Sequence, residues 1–108
     1  REFINSKDLA TAIFQVLKIS KSKINKDFKK KLPMINVGSG ESVTINKLSK
    51  IISQIVGYKG KIHFDTKFPD GTFKKNLDSK KIKKLGWKPK ISLREGLLPV
   101  IRSRLDGN

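Results

Sequence analysis

The chain has 108 residues, the length of one small domain. It carries 25 Lys and Arg against 9 Asp and Glu, a formal net charge of +16, with no cysteine and one histidine. This composition excludes disulfide scaffolds, cysteine nucleophiles, cysteine-ligated zinc and multi-histidine metal centres within the chain. No apolar run approaches the roughly 20 residues of a membrane-spanning helix, so no membrane partner is predicted. Because the sequence opens on arginine and a helix pattern follows at once, we expect it to be part of a longer protein.

The first part of the sequence predicts a helix and a strand. Ser6 is the predicted cap of a helix that runs to about Lys18, with apolar residues at helical spacing. Residues 19–31 are rich in Lys, Ser and Asn and predict a polar loop. Residues 32–37 form a short apolar run and predict a buried strand, which the Gly-Ser-Gly turn at 38–40 ends.

The middle of the sequence contains the clearest helix pattern. Thr44 is the predicted cap, apolar residues follow at helical spacing, and Gly57 occupies the usual stop position. Residues 61–64 predict a short strand. Residues 65–73 predict a loop that contains the turn signal Pro-Asp-Gly.

The last part predicts two further helices. Either Asp78 or Ser79 caps a short one, and Ser92-Leu-Arg-Glu is a capping box that opens the other. Pro99 lies in the expected run of that last helix and predicts a kink or a stop there. Trp87 is predicted to anchor the core, with an indole N–H that needs a partner.

Two local features suggest anion binding, and each has a simpler interpretation. The turn at 38–40 is not followed by the third glycine of a dinucleotide fingerprint, because position 43 is Val, so a plain turn is favoured. Thr44 could still present helix-start N–H groups to an anion. Lys74 and Lys75 follow the Pro-Asp-Gly turn and suit a diphosphate, although on local evidence a solvated surface lysine pair is the favoured interpretation.

The residues alone favour no catalytic constellation. His63 has no partner at catalytic spacing and is predicted to be structural. The net positive charge admits a basic nucleic-acid-binding module as an alternative, but the lysines are scattered and arginine is scarce. A lysine-rich solvated surface on a small mixed α/β chain is therefore the preferred interpretation.

Several motifs taken together resemble a known family. They are Arg-Glu-Phe at 1–3 with Asp-Leu-Ala at 8–10, Asn-Val-Gly-Ser-Gly at 36–40, Pro-Asp-Gly-Thr at 69–72 with Lys75 and Asp78, and Leu-Gly-Trp-Lys-Pro at 85–89. From position 1 to about 97 the chain resembles the C-terminal third of the GDP-L-fucose synthases, which are extended short-chain dehydrogenase/reductases. The Gly-containing turn and the Leu-Gly-Trp ending are similar across many nucleotide-sugar epimerases and dehydratases, which remain the alternative. The stretch at 69–78 is more particular to the fucose synthases.

The resemblance implies an α/β fold: the substrate-binding C-terminal portion of an extended reductase, a small mixed α+β segment without its Rossmann-like cofactor domain. It implies a single segment over 1–108, in which residues 1–40 pack on that domain and residues 41–108 form the substrate subdomain. The family epimerises GDP-4-keto-6-deoxy-D-mannose at carbons 3 and 5 and reduces it with NADPH to GDP-L-fucose. The resemblance also implies a cytoplasmic homodimer whose NADPH is bound upstream of this chain.

The resemblance assigns substrate-binding positions to Arg1, Asp70 and Lys75, with Arg1 at the pyrophosphate. The family's catalytic Tyr–Lys and Cys–His pairs would lie upstream, since Tyr58 has Ile62 four residues on and the chain has no cysteine. No catalytic, cofactor-binding or metal-binding residue is therefore predicted within this chain, and the chain alone is expected to be inactive. It departs from the family pattern at five places, which are Ser6-Lys7, Phe73, Lys74, Asn76 and Pro99.

Overall fold

The structure is a computed structural model, and it describes residues 1–20, 22–23 and 34–107. The helices with described bounds are α1 (Ser6–Leu17), α2 (Ile45–Val56), α3 (Lys80–Lys84) and α4 (Leu93–Leu105). In the described part of the chain the only β pairing is an isolated antiparallel bridge between Glu2 and Ser42. Helices α2 and α4 pack against each other.

The helix ends follow the predicted capping chemistry with two differences. Asn5 and not Ser6 caps α1, because its side chain accepts from the Lys7 amide at 2.9 Å. Thr44 caps α2 as predicted, and Gly57 ends it in the left-handed conformation at φ 69°. At α3, Ser79 stands at the cap position without a side-chain capping bond, because its hydroxyl donates to the Gly38 carbonyl at 3.5 Å, and the Asp78 carboxylate accepts from the Lys80 amide instead.

Helix α4 passes through Pro99 without ending, so the predicted stop there is wrong, while the alternative of a kink stays a prediction. The capping box forms as predicted, since the Ser92 side chain accepts from the Glu95 amide while the Glu95 carboxylate accepts from the Ser92 amide. The helix nevertheless continues through Pro99 to Leu105. Proline removes one intrahelical hydrogen bond. We attribute the continuation to the half-buried residues on both sides of it, Leu98 and Ile101, in a helix that packs on α2.

The two strand predictions were wrong: in the described residues, neither segment forms a regular strand. Residues 34–37 and 61–64 lie outside any β ladder. The polar loop predicted at 19–31 and the start of the strand at 32–33 fall largely outside the described residues. A strand needs a neighbouring strand that pairs with its backbone N–H and C=O groups. Within the described residues, no backbone segment pairs with 34–37 or 61–64 in this way.

A small apolar core joins α1 to the residues around α3. Ala12, Ile82 and Trp87 are buried together, and the partly buried residues packed around them are Ile4, Val16, Ile35, Val37 and Leu85. The neighbouring side of α1 remains open, with Leu9, Ile13 and Leu17 exposed at i, i+4 and i+8. An apolar row of this kind on a helix is usually covered by another surface.

Three polar side chains of α1 fasten the segment from 85 to 91. The Asp8 carboxylate is only 3% exposed and accepts from the amides of Lys90 and Ile91, the latter at 2.9 Å. The indole N–H of Trp87 donates to Thr11 Oγ1 at 2.9 Å, which confirms that this buried tryptophan has a partner. One turn further, the Gln15 amide donates to the Leu85 carbonyl at 2.8 Å.

The described residues contain no helix long and apolar enough to cross a membrane.

Candidate substrate-binding site

Arg1 is held next to the start of α2 by backbone pairing. Its backbone nitrogen donates to the Val43 carbonyl at 2.7 Å, and the Val43 amide donates back to the Arg1 carbonyl at 2.9 Å. The bridge between Glu2 and Ser42 continues this pairing. The first two residues are therefore fixed in direction, although their side chains are not buried in the core.

The guanidinium of Arg1 reaches the loop that carries the other predicted residues. Arg1 Nη1 donates to the Thr72 carbonyl at 2.7 Å, across 71 positions of sequence. Gly71 packs against the same group, since a methyl at that position would lie 2.8 Å from Arg1 Nη2. A guanidinium has five N–H donors, so the Thr72 contact leaves others available to a ligand.

Asp70 and Lys75 lie on either side of this contact, both exposed. Neither side chain forms a hydrogen bond within the described residues, so their groups face solvent without an assigned partner. The structure thus brings Arg1 to the Asp70–Lys75 loop, while a role for the three side chains in substrate binding stays a prediction. Lys74 and Phe73, between them in sequence, are exposed as well.

Two further hydrogen bonds fasten the far end of the loop. Glu2 Oε2 accepts from the Leu77 amide at 2.8 Å. Ser42 Oγ donates to Asn76 Oδ1 at 2.6 Å, so one of the departures from the family pattern has a defined contact. Sequence reasoning missed both, because no local signal connects positions 2 and 77.

The turn at 38–40 is a structural turn, as the sequence favoured. Gly40 has φ 80°, and its amide donates to Glu2 Oε1 at 2.7 Å. A phosphate at this amide would have to replace a carboxylate and approach its negative charge, which opposes a phosphate-loop role. The Thr44 hydroxyl likewise already accepts from the Lys47 amide at 3.1 Å.

The described residues assemble no catalytic group or metal site. His63 and Tyr58 are exposed, and the Tyr58 hydroxyl donates to the Lys61 carbonyl at 3.3 Å. No three His, Asp or Glu side chains in the described ranges cluster closely enough to hold a metal ion. The features that remain are hydrogen-bond donors and charges suited to binding.

A cleft of about 610 Å³ lies elsewhere, between residues 3–6, helix α2 and the segment 89–100. Its walls include the start of α4 and apolar side chains such as Ile51 and Leu97. Arg1, Asp70 and Lys75 do not line it. The predicted binding residues therefore sit on an open loop surface and not in this cleft.

Comparison with known proteins finds relatives of this chain among nucleotide-sugar enzymes. No family model matches it. It is 42% identical over 98 residues to a probable GDP-L-fucose synthase of Oryza sativa subsp. japonica, covering 91% of this chain and 27% of the relative. It is 40% identical over 97 residues to the GDP-L-fucose synthase of Escherichia coli, covering 90% and 30%.

Two of the solved structures that superpose on this chain are also enzymes of GDP-sugars. A GDP-6-OMe-4-keto-L-xylo-heptose reductase from Campylobacter jejuni superposes with a TM-score of 0.86 at 38% identity, over 100% of this chain and 31% of that one. A GDP-mannoheptose reductase from the same organism, with NADP bound, superposes with a TM-score of 0.79 at 35% identity, over 97% and 31%. The chain thus spans about 30% of the length of the proteins it matches. The resemblance to the GDP-L-fucose synthases is confirmed, and the fold is that of the C-terminal portion of an extended short-chain dehydrogenase/reductase.

Proposed function

We propose that this chain is the substrate-binding portion of a GDP-L-fucose synthase, with Arg1, Asp70 and Lys75 as its ligand-contacting residues. The observation that carries the proposal is the contact of Arg1 with Thr72, which puts a guanidinium on the loop between Asp70 and Lys75. In the proposed enzyme the GDP-4-keto-6-deoxy-D-mannose is epimerised at carbons 3 and 5 and reduced at carbon 4 to GDP-L-fucose.

The charges on this loop match the parts of a nucleotide diphosphate. Guanidinium groups bind phosphate oxygens in pairs of parallel hydrogen bonds, and a nearby lysine adds a point charge. A carboxylate such as Asp70 accepts from ribose hydroxyls or from N–H groups of a base. All three residues are exposed, so a ligand could reach each of them without displacing core residues.

NADPH is proposed to bind outside this chain. The glycine turn at 38–40 does not suit a dinucleotide, because the Gly40 amide already donates to the Glu2 carboxylate and this negative charge would repel a phosphate. The exposed row Leu9, Ile13 and Leu17 on α1 is the face through which residues 1–40 would pack on the cofactor domain. We include in the proposal the cytoplasmic homodimer that the family implies.

The test of the binding site compares neighbouring lysines in the full-length protein. Lys75→Ala and Arg1→Ala should each weaken GDP binding about 10- to 100-fold, because a hydrogen bond to a charged group is worth roughly 1.5–3 kcal/mol. NADPH affinity should stay unchanged. Isothermal titration calorimetry measures both affinities. In steady-state kinetics the variants should raise KM more than they lower kcat if the contact is equally strong in the ground and transition states.

Lys74→Ala is the matched control, since it removes the same charge one residue away. It should leave GDP affinity within about twofold of the unmodified protein, a difference below roughly 0.4 kcal/mol. Equal losses for the Lys74 and Lys75 variants would refute the assignment of Lys75.

A second candidate is a GDP-sugar 4-reductase without epimerase activity. The similarity to the Campylobacter reductases, at up to 38% identity, favours it. Reaction in heavy water separates the two, because epimerisation removes and returns protons at the carbons beside the keto group. Deuterium at carbons 3 and 5 of the product supports a fucose synthase, and its absence in a reduced product supports the reductase.

A further inference from the structure

Glu2 joins two segments that are far apart in sequence. Its Oε1 accepts from the Gly40 amide at 2.7 Å and its Oε2 accepts from the Leu77 amide at 2.8 Å. Both oxygens of one carboxylate are thus engaged by backbone donors. Bonds of this kind, from amides to a charged acceptor, are among the stronger hydrogen bonds in proteins.

The space around this carboxylate is closed on one side by Gly38, which is buried. A methyl group at Gly38 would overlap Glu2 Oε1 and lie 2.9 Å from its Cδ. Gly38 therefore provides room for the carboxylate, a steric requirement that does not depend on an unusual backbone angle.

Consecutive residues hold the two ends of the loop from 72 to 77. Arg1 holds its beginning through the Thr72 carbonyl, and Glu2 holds its end through the Leu77 amide. Lys75 lies between these two attachments. The Ser42–Asn76 hydrogen bond adds a third restraint beside the second one.

We infer that Glu2 is a positioning residue for the nucleotide diphosphate: by bridging Gly40 and Leu77 it fixes the 72–77 loop so that Lys75 and Arg1 face the same ligand. The inference rests on the proposed function, because it concerns the same site. The inference assigns Glu2 no contact with the ligand, because its two oxygens accept from amides of the protein and its negative charge would repel a diphosphate.

The sign of the expected effect separates positioning from simple electrostatics. A carboxylate near a diphosphate repels it, so removing that charge should strengthen binding if charge were its only role. If Glu2 positions the loop, removing its second acceptor should weaken binding despite the more favourable charge. A residue with neither role would leave the affinity unchanged.

The experiment measures GDP affinity for three variants of the full-length protein. Glu2→Gln keeps one acceptor oxygen and presents an NH₂ group to the other amide. Glu2→Asp keeps the charge but is one methylene too short to span Gly40 and Leu77. Gly38→Ala leaves Glu2 in place and displaces its carboxylate. We expect all three to weaken GDP binding by about tenfold, because a loop released from Glu2 must be ordered again when the ligand binds.

Glu41→Gln is the control, because it removes the same charge next to Gly40 from an exposed side chain that makes no hydrogen bond within the described residues. It should leave GDP affinity unchanged or slightly increased. Amide exchange provides the structural readout: in the Glu2 variants it should accelerate at Leu77 and Gly40 but not in α1 or α4. Acceleration throughout would indicate general destabilisation and would overturn the inference.

The outcomes also separate this inference from the proposed function. If the unmodified protein does not bind GDP, the proposed function fails. If it binds GDP and Arg1→Ala weakens binding while Glu2→Gln tightens it or leaves it unchanged, only the role of Glu2 is refuted. Normal binding by Glu2→Asp would also refute it, because charge without reach would then suffice.

Discussion

Asp8 should be one of the most important residues for the stability of this chain. Its buried carboxylate accepts from the Lys90 and Ile91 amides and so ties α1 to the segment that contains Trp87. Asp8→Asn keeps one acceptor oxygen and turns an NH₂ group toward the other amide. One charge-assisted hydrogen bond is lost and the second becomes neutral, for a total of about 2–4 kcal/mol in the free energy of unfolding.

A loss of that size is a large part of the 5–15 kcal/mol that is usual for a domain. In a domain of this length it would lower Tm by at least about 10 °C. Urea unfolding followed by fluorescence is the direct assay, since Trp87 is the only tryptophan and lies in the segment that Asp8 holds. Asp106→Asn is the control, because Asp106 is exposed at the end of α4 and its side chain makes no hydrogen bond within the described residues. If the two variants unfold at the same urea concentration, the Asp8 contacts do not stabilise the fold.

Three further predictions concern pH, activity and charge. The Ser92 hydroxyl, and to a smaller extent the Ser92 amide, donate to the Glu95 carboxylate and hold its pKa below the ordinary 4.5. The capping box should therefore stabilise α4 above that pH and lose this effect as the pH falls below it. Amide exchange at the start of α4 between pH 3 and 6 tests this, and Glu95→Gln should remove the pH dependence. The 108-residue chain alone should not turn over a GDP-4-keto sugar with NADPH, since it has neither a dinucleotide fingerprint nor a Tyr-x-x-x-Lys motif; measurable NADPH oxidation would contradict this. Binding to DNA should be weak, without sequence preference and strongly reduced by salt, because scattered lysines act through counterion release; sequence-selective retention on a DNA column at physiological salt would instead support a nucleic-acid-binding module.

Local chemistry predicted the helices well, and pairing between distant residues limited the rest. Thr44, Gly57 and the Ser92 capping box act within one helical turn, so the sequence alone identifies them. The choice of Asn5 over Ser6 as a cap is a shift of one residue between two good capping side chains. The strand predictions failed because strand formation depends on a neighbour that periodicity does not reveal.

The sequence nominated the residues of the candidate site, whose binding role stays a prediction, but it did not reveal the contacts between them. The resemblance pointed to Arg1, Asp70 and Lys75, and the structure brings Arg1 to the loop between the other two. That contact crosses 71 positions, and the Glu2 contact with Leu77 crosses 75, so neither leaves a periodic signal in the sequence. Only the resemblance, which combines distant motifs, could have indicated that these segments meet.

The contacts offer a physical reason for the difference in specificity that the resemblance implied between two of the motifs. The Leu-Gly-Trp ending resembles many nucleotide-sugar enzymes, and here it is bound by Asp8, Thr11 and Gln15 of α1, a packing arrangement that does not depend on the ligand. The loop at 69–78 resembles the fucose synthases more specifically, and it carries exposed charges with no structural partner at Asp70 and Lys75. A motif that fastens the fold can serve enzymes with different substrates, whereas charges that make no contact within the described fold are available to bind one particular ligand. Under the proposed function the Arg-Glu-Phe motif would have both roles, because Arg1 would present donors to the ligand while Glu2 holds the loop next to it.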